Sequence, residues 1–253
     1  MRIILYPYKI GSQSCRDLQD TLQTKFEGKI LRVRPDGAFV RRRHDIVINW
    51  GSSKSPKWNY EGIINSPAAV RISANKLRTL VCLRDHHVQT VPFTTTKSET
   101  QGWNRIVCRA VLEGHSGEGI TIMRQGEALP DVPVYTKFIP RSREYRVHVF
   151  RGEIIDYAKK VKRIDGRIVS NAQSDDMIRS AALGWEFIRA VTRRPSVEEL
   201  AKQAVSALGL DFGAVDILRD REGNCYVLEV GTAPGLSNLG LEAYANAIIG
   251  LTH

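Results

Sequence analysis

Residues 209–236 read GLDFGAVDILRDREGNCYVLEVGTAPGL. Two apolar runs, 212–219 and 225–231, flank the polar cluster Asp220-Arg221-Glu222-Gly223-Asn224. A Gly/Asn cluster between runs rich in Val, Ile and Leu marks the turn of a β-hairpin. With that turn centred on Glu222-Gly223, Asp216 falls directly across from Glu229 on one face of the pair. Like charges in that relation are destabilising, so the pair needs a cation, a shared proton or an engaged basic side chain.

Oxygen-only donors with no Cys or His nearby favour Mg²⁺. That ion takes one or two carboxylates and completes its shell from water and a nucleotide's phosphates. The two acids equally fit a solvated sheet face or ion pairs with Lys or Arg, and the hairpin alone does not choose among these.

Working outward, the 253-residue chain is long enough for one large domain or for two to three small units sharing a core. Hydrophobic content of 42% and charged content of 25% exclude a disordered chain. The 37 Lys and Arg against 27 Asp and Glu leave a formal charge of +10, which favours nucleotides, nucleic acid or acidic peptides as partners. Basic clusters at Arg41-Arg42-Arg43, at Lys159-Lys160 with Lys162-Arg163, and at Arg193-Arg194 are scattered, the pattern of solvated surface. Cys15, Cys82, Cys108 and Cys225 form no CxxC pair and have no His at zinc-ligand spacing, so they read as buried thiols of a reducing compartment. The apolar run after Met1-Arg2 is too short for a signal peptide, and no stretch has the length of a membrane span; a cytoplasmic protein is expected.

Along the chain, a strand over 2–6, a helix over 12–26 and strands over 29–33 and 45–50 predict a small α/β unit. Residues 51–66 are loop-like, and Ser73 is expected to cap a helix bearing Leu77, Leu80 and Val81 with Lys76 on another face. Strands over 105–111 and 120–123 are joined by Glu113-Gly114-His115-Ser116-Gly117-Glu118-Gly119. Such a glycine-rich loop lets backbone N–H groups surround an anion, although neither a P-loop nor a Rossmann pattern is present. Three strands are then expected over 134–139, 145–150 and 154–161, followed by a helix over 175–190. Ser196-Val197-Glu198-Glu199 reads as a capping box opening another helix, and a last helix runs to about Leu251. Helices followed by antiparallel strands argue for an α+β assembly over a doubly wound sheet.

Taken in order, these parts resemble the ATP-grasp superfamily, and within it the ligases that add glutamate to the C-terminus of a ribosomal protein. The likeness covers roughly residues 70–250 and is most specific at 209–218 and 227–236. It implies two α+β subdomains gripping ATP behind a small α/β domain: residues 1–70, then 71–133 with the glycine-rich loop, then 134–253 with the metal-binding hairpin. It implies ATP and Mg²⁺ as cofactors and Asp216 and Glu229 as metal ligands. Lys76 and Arg109 match phosphate-binding positions, and Gly114, Ser116, Gly117 and Gly119 match the loop that closes over the phosphates. Lys137 and Ile139 match backbone positions that read adenine, and Glu144 suits the ribose. Arg146 and Lys159, with Lys160, and Asn171 match groups around the transferred phosphoryl. The sequence departs from the family at Arg109, which replaces a lysine, and at Gly231, which replaces an asparagine beside the metal.

The implied reaction is that of a carboxylate-amine ligase. A carboxylate is phosphorylated by ATP to an acyl phosphate, and an amine attacks it to give an amide, ADP and phosphate. The implied partners are ATP, a carboxylate such as an amino acid, and an amine acceptor, with no membrane. Excess positive charge, with Trp50, Trp58 and Trp103 in or near loops, admits an acidic peptide or nucleic acid as acceptor; the same tryptophans also fit as hydrophobic anchors. Two other readings compete: a basic nucleic-acid-binding module without catalysis, and an ATP-grasp kinase that stops at a phosphorylated product.

Overall fold

The computed structural model describes residues 1–114, 118–169, 179, 183–189 and 191–252. Strands β1 (Arg2–Pro7), β2 (Lys29–Arg32) and β3 (Asp45–Trp50) form a parallel sheet in the order β2-β1-β3. The intervening helix α1 (Gln13–Gln23) starts where the Ser12 hydroxyl accepts the Cys15 N–H, and it buries Leu18 and Leu22. Asn65 closes the following loop in the left-handed region, at φ 61°, which Asn tolerates better than most residues. Its carboxamide accepts the N–H groups of Asp211 and Phe212 and donates to the Phe212 carbonyl, tying the first sheet to the foot of the carboxylate hairpin.

Two short helices follow, α2 (Pro67–Ala74) and α3 (Lys76–Asp85). The expected cap at Ser73 is not found. Asn75 caps α3 by accepting the Arg78 N–H, whereas Ser73 lies inside α2 and donates its buried hydroxyl to the Val230 carbonyl. Strands β4 (Phe93–Thr94), β5 (Arg105–Arg109), β6 (Ile120–Arg124) and β7 (Val134–Lys137) form an antiparallel sheet in the order β4-β7-β5-β6. Residues 134–137 therefore belong to this sheet.

The largest sheet holds β8 (Arg141–Phe150), β9 (Glu153–Ile164), β10 (Arg167–Val169), β11 (Trp185–Ile188), β12 (Phe212–Asp220) and β13 (Cys225–Gly231). Its order is β10-β9-β8-β12-β13, with β11 also on β9. The helix expected over 175–190 is overturned at its described end, since 185–188 pairs antiparallel with β9. Trp-Glu-Phe alternates with period two, and the free edge of β9 offers the hydrogen bonds that an extended segment needs.

Helix α4 (Pro195–Ala207) opens with Pro195 in its first turn and Arg194 at the cap, so Ser196 lies inside the helix and the expected capping box does not form. Its buried residues Val197, Leu200, Ala201 and Ala204 share a core with Val147, Val215, Ile217 and Val230 of the large sheet. That covers one sheet face; the other packs Phe150 and Phe212 against the first sheet at one end and carries polar groups toward the other. Helix α5 (Asn238–Ile249) closes the first sheet against the large one, through Tyr244, Ala245 and Ile248. Trp50 is fully buried there, 5.5 Å from the Phe212 ring and 5.2 Å from Tyr244. Trp58 is buried against Tyr6 and Phe39, so both tryptophans are hydrophobic anchors, not exposed stacking platforms. Among the described residues no helix is long and apolar enough to cross a membrane.

Candidate active site

Asp216 pairs in register with Glu229 on one side and with Arg146 on the other. Strand alternation then gathers Glu144, Arg146 and His148 of β8, Ala158 and Lys160 of β9, Asp216 of β12, and Glu229 and Gly231 of β13 on the face away from α4. The hairpin register shifts between Asp216 and Ile217, where Leu228 is the extra residue. Such a bulge turns the strand locally and re-aims the side chains beside it.

Each acid has its own cation. The Arg146 guanidinium forks onto Asp216, Nε to Oδ1 at 2.7 Å and Nη2 to Oδ2 at 2.8 Å. Lys76, at the first position of α3, reaches across from another element to place Nζ on Glu229 Oε2. These contacts answer the like-charge problem posed by the hairpin. The two carboxyls nevertheless respond differently. Burial pushes Asp216 up more than Arg146 pulls it down, and the nearby Glu229 and Glu144 charges add to the rise. For Glu229, burial also acts upward, but Lys76, with Arg146 and Arg109 behind it, brings it down to about 2. Arg109, on β5 of the smaller sheet, faces the same acid; burial lowers its pKa and Glu229 opposes the fall.

Three of the expected cations therefore meet at the acid pair. Lys159 does not. It pairs with Tyr145, on the α4 side of the sheet, where burial and then Arg143 and Arg194 lower its pKa. Its neighbour Lys160 takes the inward place and donates to Glu144 Oε1 at 2.6 Å, the carboxylate expected at the ribose. The period of two along β9 decides this: adjacent lysines cannot share a face.

Gly114 and Gly119 flank the glycine-rich turn. Gly119 has φ 66°, and a Cβ there would meet Val111 Cγ2 at 2.7 Å, so this end of the loop requires glycine. Ser116, Gly117 and Asn171 lie outside the described residues. Ile139 packs against the small cluster of Leu80, Val91 and Val134. Lys137 ends β7 and borders a cavity of about 600 Å³, also lined by Asn104, Arg105, Arg124, Gln125 and Phe138, at the far end of the β5–β6 pair from Arg109. That cavity contains neither acid of the pair.

Gly231 follows Glu229 on the same face. A Cβ built on it would find only the Ala214 carbonyl oxygen, 3.9 Å away, so the floor beside the acids is open. Among the described residues no cluster of three or more His, Cys, Asp or Glu forms a protein-only metal cage. Two carboxylates with open space beside them fit Mg²⁺, which draws further oxygens from water and phosphate.

Sequence reading missed Phe187 and His148. Phe187, on β11, lies under the Arg146 guanidinium with 4.3 Å from Cζ to the ring centroid, and its period-two spacing from Trp185 was the available signal. His148 is buried beside the Tyr244 hydroxyl, and burial pushes it down to about 4, with Asp156 opposing and Arg146 and Arg189 assisting.

This three-sheet arrangement is the ATP-grasp fold. The structure of the ATP-grasp ligase PsnB complexed with minimal precursor, Mg and ADP matches it with a TM-score of 0.69 at 14% identity, over 100% of this chain and 97% of that one. In sequence the chain is 27% identical over 228 residues to a probable alpha-L-glutamate ligase of Parasynechococcus marenigrum (strain WH8102), covering 83% of this chain and 45% of that protein. A shorter match, 41% identical over 58 residues, links it to the D-alanine–D-alanine ligase of Paraburkholderia phymatum, covering 22% of this chain and 18% of that protein. The chain spans less than half the length of these curated relatives. No protein-family profile matches it.

Proposed function

We propose that the chain is an ATP- and Mg²⁺-dependent carboxylate-amine ligase of the cytoplasm, forming an amide through an acyl phosphate. The observation that carries this reading is the in-register pairing of Asp216 with Glu229 amid Arg146, Lys76 and Arg109, which come from three separate elements. Residues 1–70, 71–133 and 134–253 would be its three units, with β7 lending its strand to the sheet of the second.

Asp216 and Glu229 are the residues that would hold Mg²⁺, which when bound neutralises phosphate charge. Lys76 and Arg109 would bind the nucleotide's phosphates, and Gly114 to Gly119 would cover them. Arg146, with Lys160 on the same face, would offset the charge that accumulates when a carboxylate oxygen approaches a phosphoryl group. Such a reaction is accelerated mainly by position and electrostatics, which suits an inner face whose cations are held by partners. Lys137 and Ile139 would border the adenine. The acceptor is an amine on an amino acid or an acidic peptide. A bare nucleic-acid module is disfavoured because Trp50 and Trp58 are buried and a pair of adjacent carboxylates repels a phosphate backbone.

The test is thermal stabilisation by ATP with Mg²⁺, followed by an ADP-release screen over amino acids with peptide amines. Stabilisation that requires both components, disappears in Asp216→Asn, and is accompanied by amine-dependent ADP release supports the ligase. Stabilisation by an oligonucleotide alone sinks it, and ADP release indifferent to amines identifies a kinase.

A further inference from the structure

We propose that Phe187 is a positioning residue that fixes Arg146 as an oriented donor for an oxyanion in the cleft; the oxyanion's identity as phosphoryl rests on the reading above. Arg146 reaches two ways across the sheet. Toward β12 its Nε and Nη2 fork onto Asp216. Toward β9 its cross-strand partner is Ala158, whose methyl leaves room for the guanidinium to lie over the Phe187 ring on β11, 4.3 Å from Cζ to centroid.

The edge of the guanidinium is thus fixed by a carboxylate and its face by an aromatic ring. A planar cation held by edge and face has little rotational freedom left. Among the described residues Nη1 makes no hydrogen bond, and the Arg146 side chain keeps 26% exposure, so this remaining amino group is presented to the cleft. Lys160 lies over the same ring, with 5.3 Å from Nζ to centroid, while its ammonium donates to Glu144. The negative face of one ring therefore serves two like charges that would otherwise repel each other.

Phe187 is half-buried and has no polar group of its own, so its part is exercised through Arg146. Asp216 sets the direction of the fork, but a fork alone allows the plane to tilt about the Nε–Nη2 axis. The ring removes that tilt. Without it, Nη1 spreads over a wider arc and Lys160 loses its second partner.

The experiment compares wild type with Phe187→Leu, which keeps bulk and loses the π face, and with Phe187→Tyr, which keeps both. Two readouts are needed. The first is the Arg146 Nε–Hε resonance in the nucleotide-free protein: a ring over the guanidinium shifts it upfield in wild type and in Phe187→Tyr, and the shift is lost in Phe187→Leu. The second is Mg·ATP affinity, expected to fall about fivefold to tenfold in Phe187→Leu and to recover in Phe187→Tyr. An unshifted wild-type resonance overturns the proposal, as does Mg·ATP affinity unchanged in Phe187→Leu. Equal loss in Leu and Tyr variants with a lowered Tm also overturns it, since the ring would then be mere packing. If wild type binds no Mg·ATP but the resonance pattern holds, the orienting contact stands and the nucleotide reading falls.

Discussion

Replacing Arg146 with methionine keeps most of the side-chain volume and deletes the charge that answers Asp216. The Asp216 side chain is only 7% exposed, so the variant leaves a carboxylate enclosed with no fork. Removing one partner of a buried pair costs about 3–5 kcal/mol, and because Arg146 itself is partly exposed the lower end, about 3 kcal/mol, is expected. For a chain of this length each kcal/mol lowers Tm by about 2–4 °C, so a fall of about 6–12 °C follows. The sign of the pH dependence is fixed. Burial already raises the Asp216 pKa from 3.8, and losing Arg146 raises it further, so the folded state takes up a proton that the unfolded state lacks. The penalty is therefore small near the unfolded value, grows as pH rises toward the folded value, and levels off above it. Millimolar Mg²⁺ should also restore part of the loss at neutral pH, because a cation that binds only the folded state stabilises it by mass action. Differential scanning fluorimetry from pH 4 to 8, with Mg²⁺ or with EDTA, reads both effects. A Tm drop that ignores pH and Mg²⁺ alike would refute the placement of a strained carboxylate at the cleft floor.

Lys76→Met frees Glu229, whose carboxyl is held at about 2 against an ordinary 4.5. Because the Glu229 side chain is 45% exposed, solvent screening reduces the stability at stake to about 1 kcal/mol. A depressed carboxylate stabilises above its unfolded value and loses that contribution on acidification, so urea titrations should show the wild-type advantage at pH 7 fading between pH 4.5 and 2. Gly231→Asn should leave Tm nearly unchanged, since its Cβ meets open space, and should tighten Mn²⁺ binding, read by titration without nucleotide; weaker binding would show that the open floor is needed for something else. Asn65→Ala strips partners from the part-buried N–H of Asp211 and the buried N–H of Phe212 and should cost about 2 kcal/mol, with faster amide exchange at those two positions; an unchanged exchange rate would remove this link between the sheets.

The carboxylate hairpin was legible from local signals, a Gly/Asn turn between period-two apolar arms; the register expected from a turn centred on Glu222-Gly223 holds for Asp216 opposite Glu229 and fails nearer the turn, where Ile217 faces Val227. The first α/β unit was legible for the same reason, with strands and helix close to their expected places. Errors clustered where two local patterns competed. Ser73 and Ser196 both looked like caps, but burial against Val230 and an upstream proline assigned them otherwise. Trp185 to Ile188 satisfied a helical period until the edge of β9 claimed it as a strand.

By itself the chain placed one acid on each arm of the hairpin, but the register beside the turn sets Ile217 opposite Val227, and only the bulge at Leu228 brings Glu229 opposite Asp216. It also determined that many cations were available, since charge is counted along the sequence. Which cation serves which acid was decided only in three dimensions. Lys76 and Glu229 are brought together by the docking of α3 against the large sheet, Lys160 displaces Lys159 through the registry of β8 with β9, and Phe187 meets Arg146 only because β11 adds to that edge. Contacts between distant segments depend on how sheets stack and register, and no window of sequence contains that information.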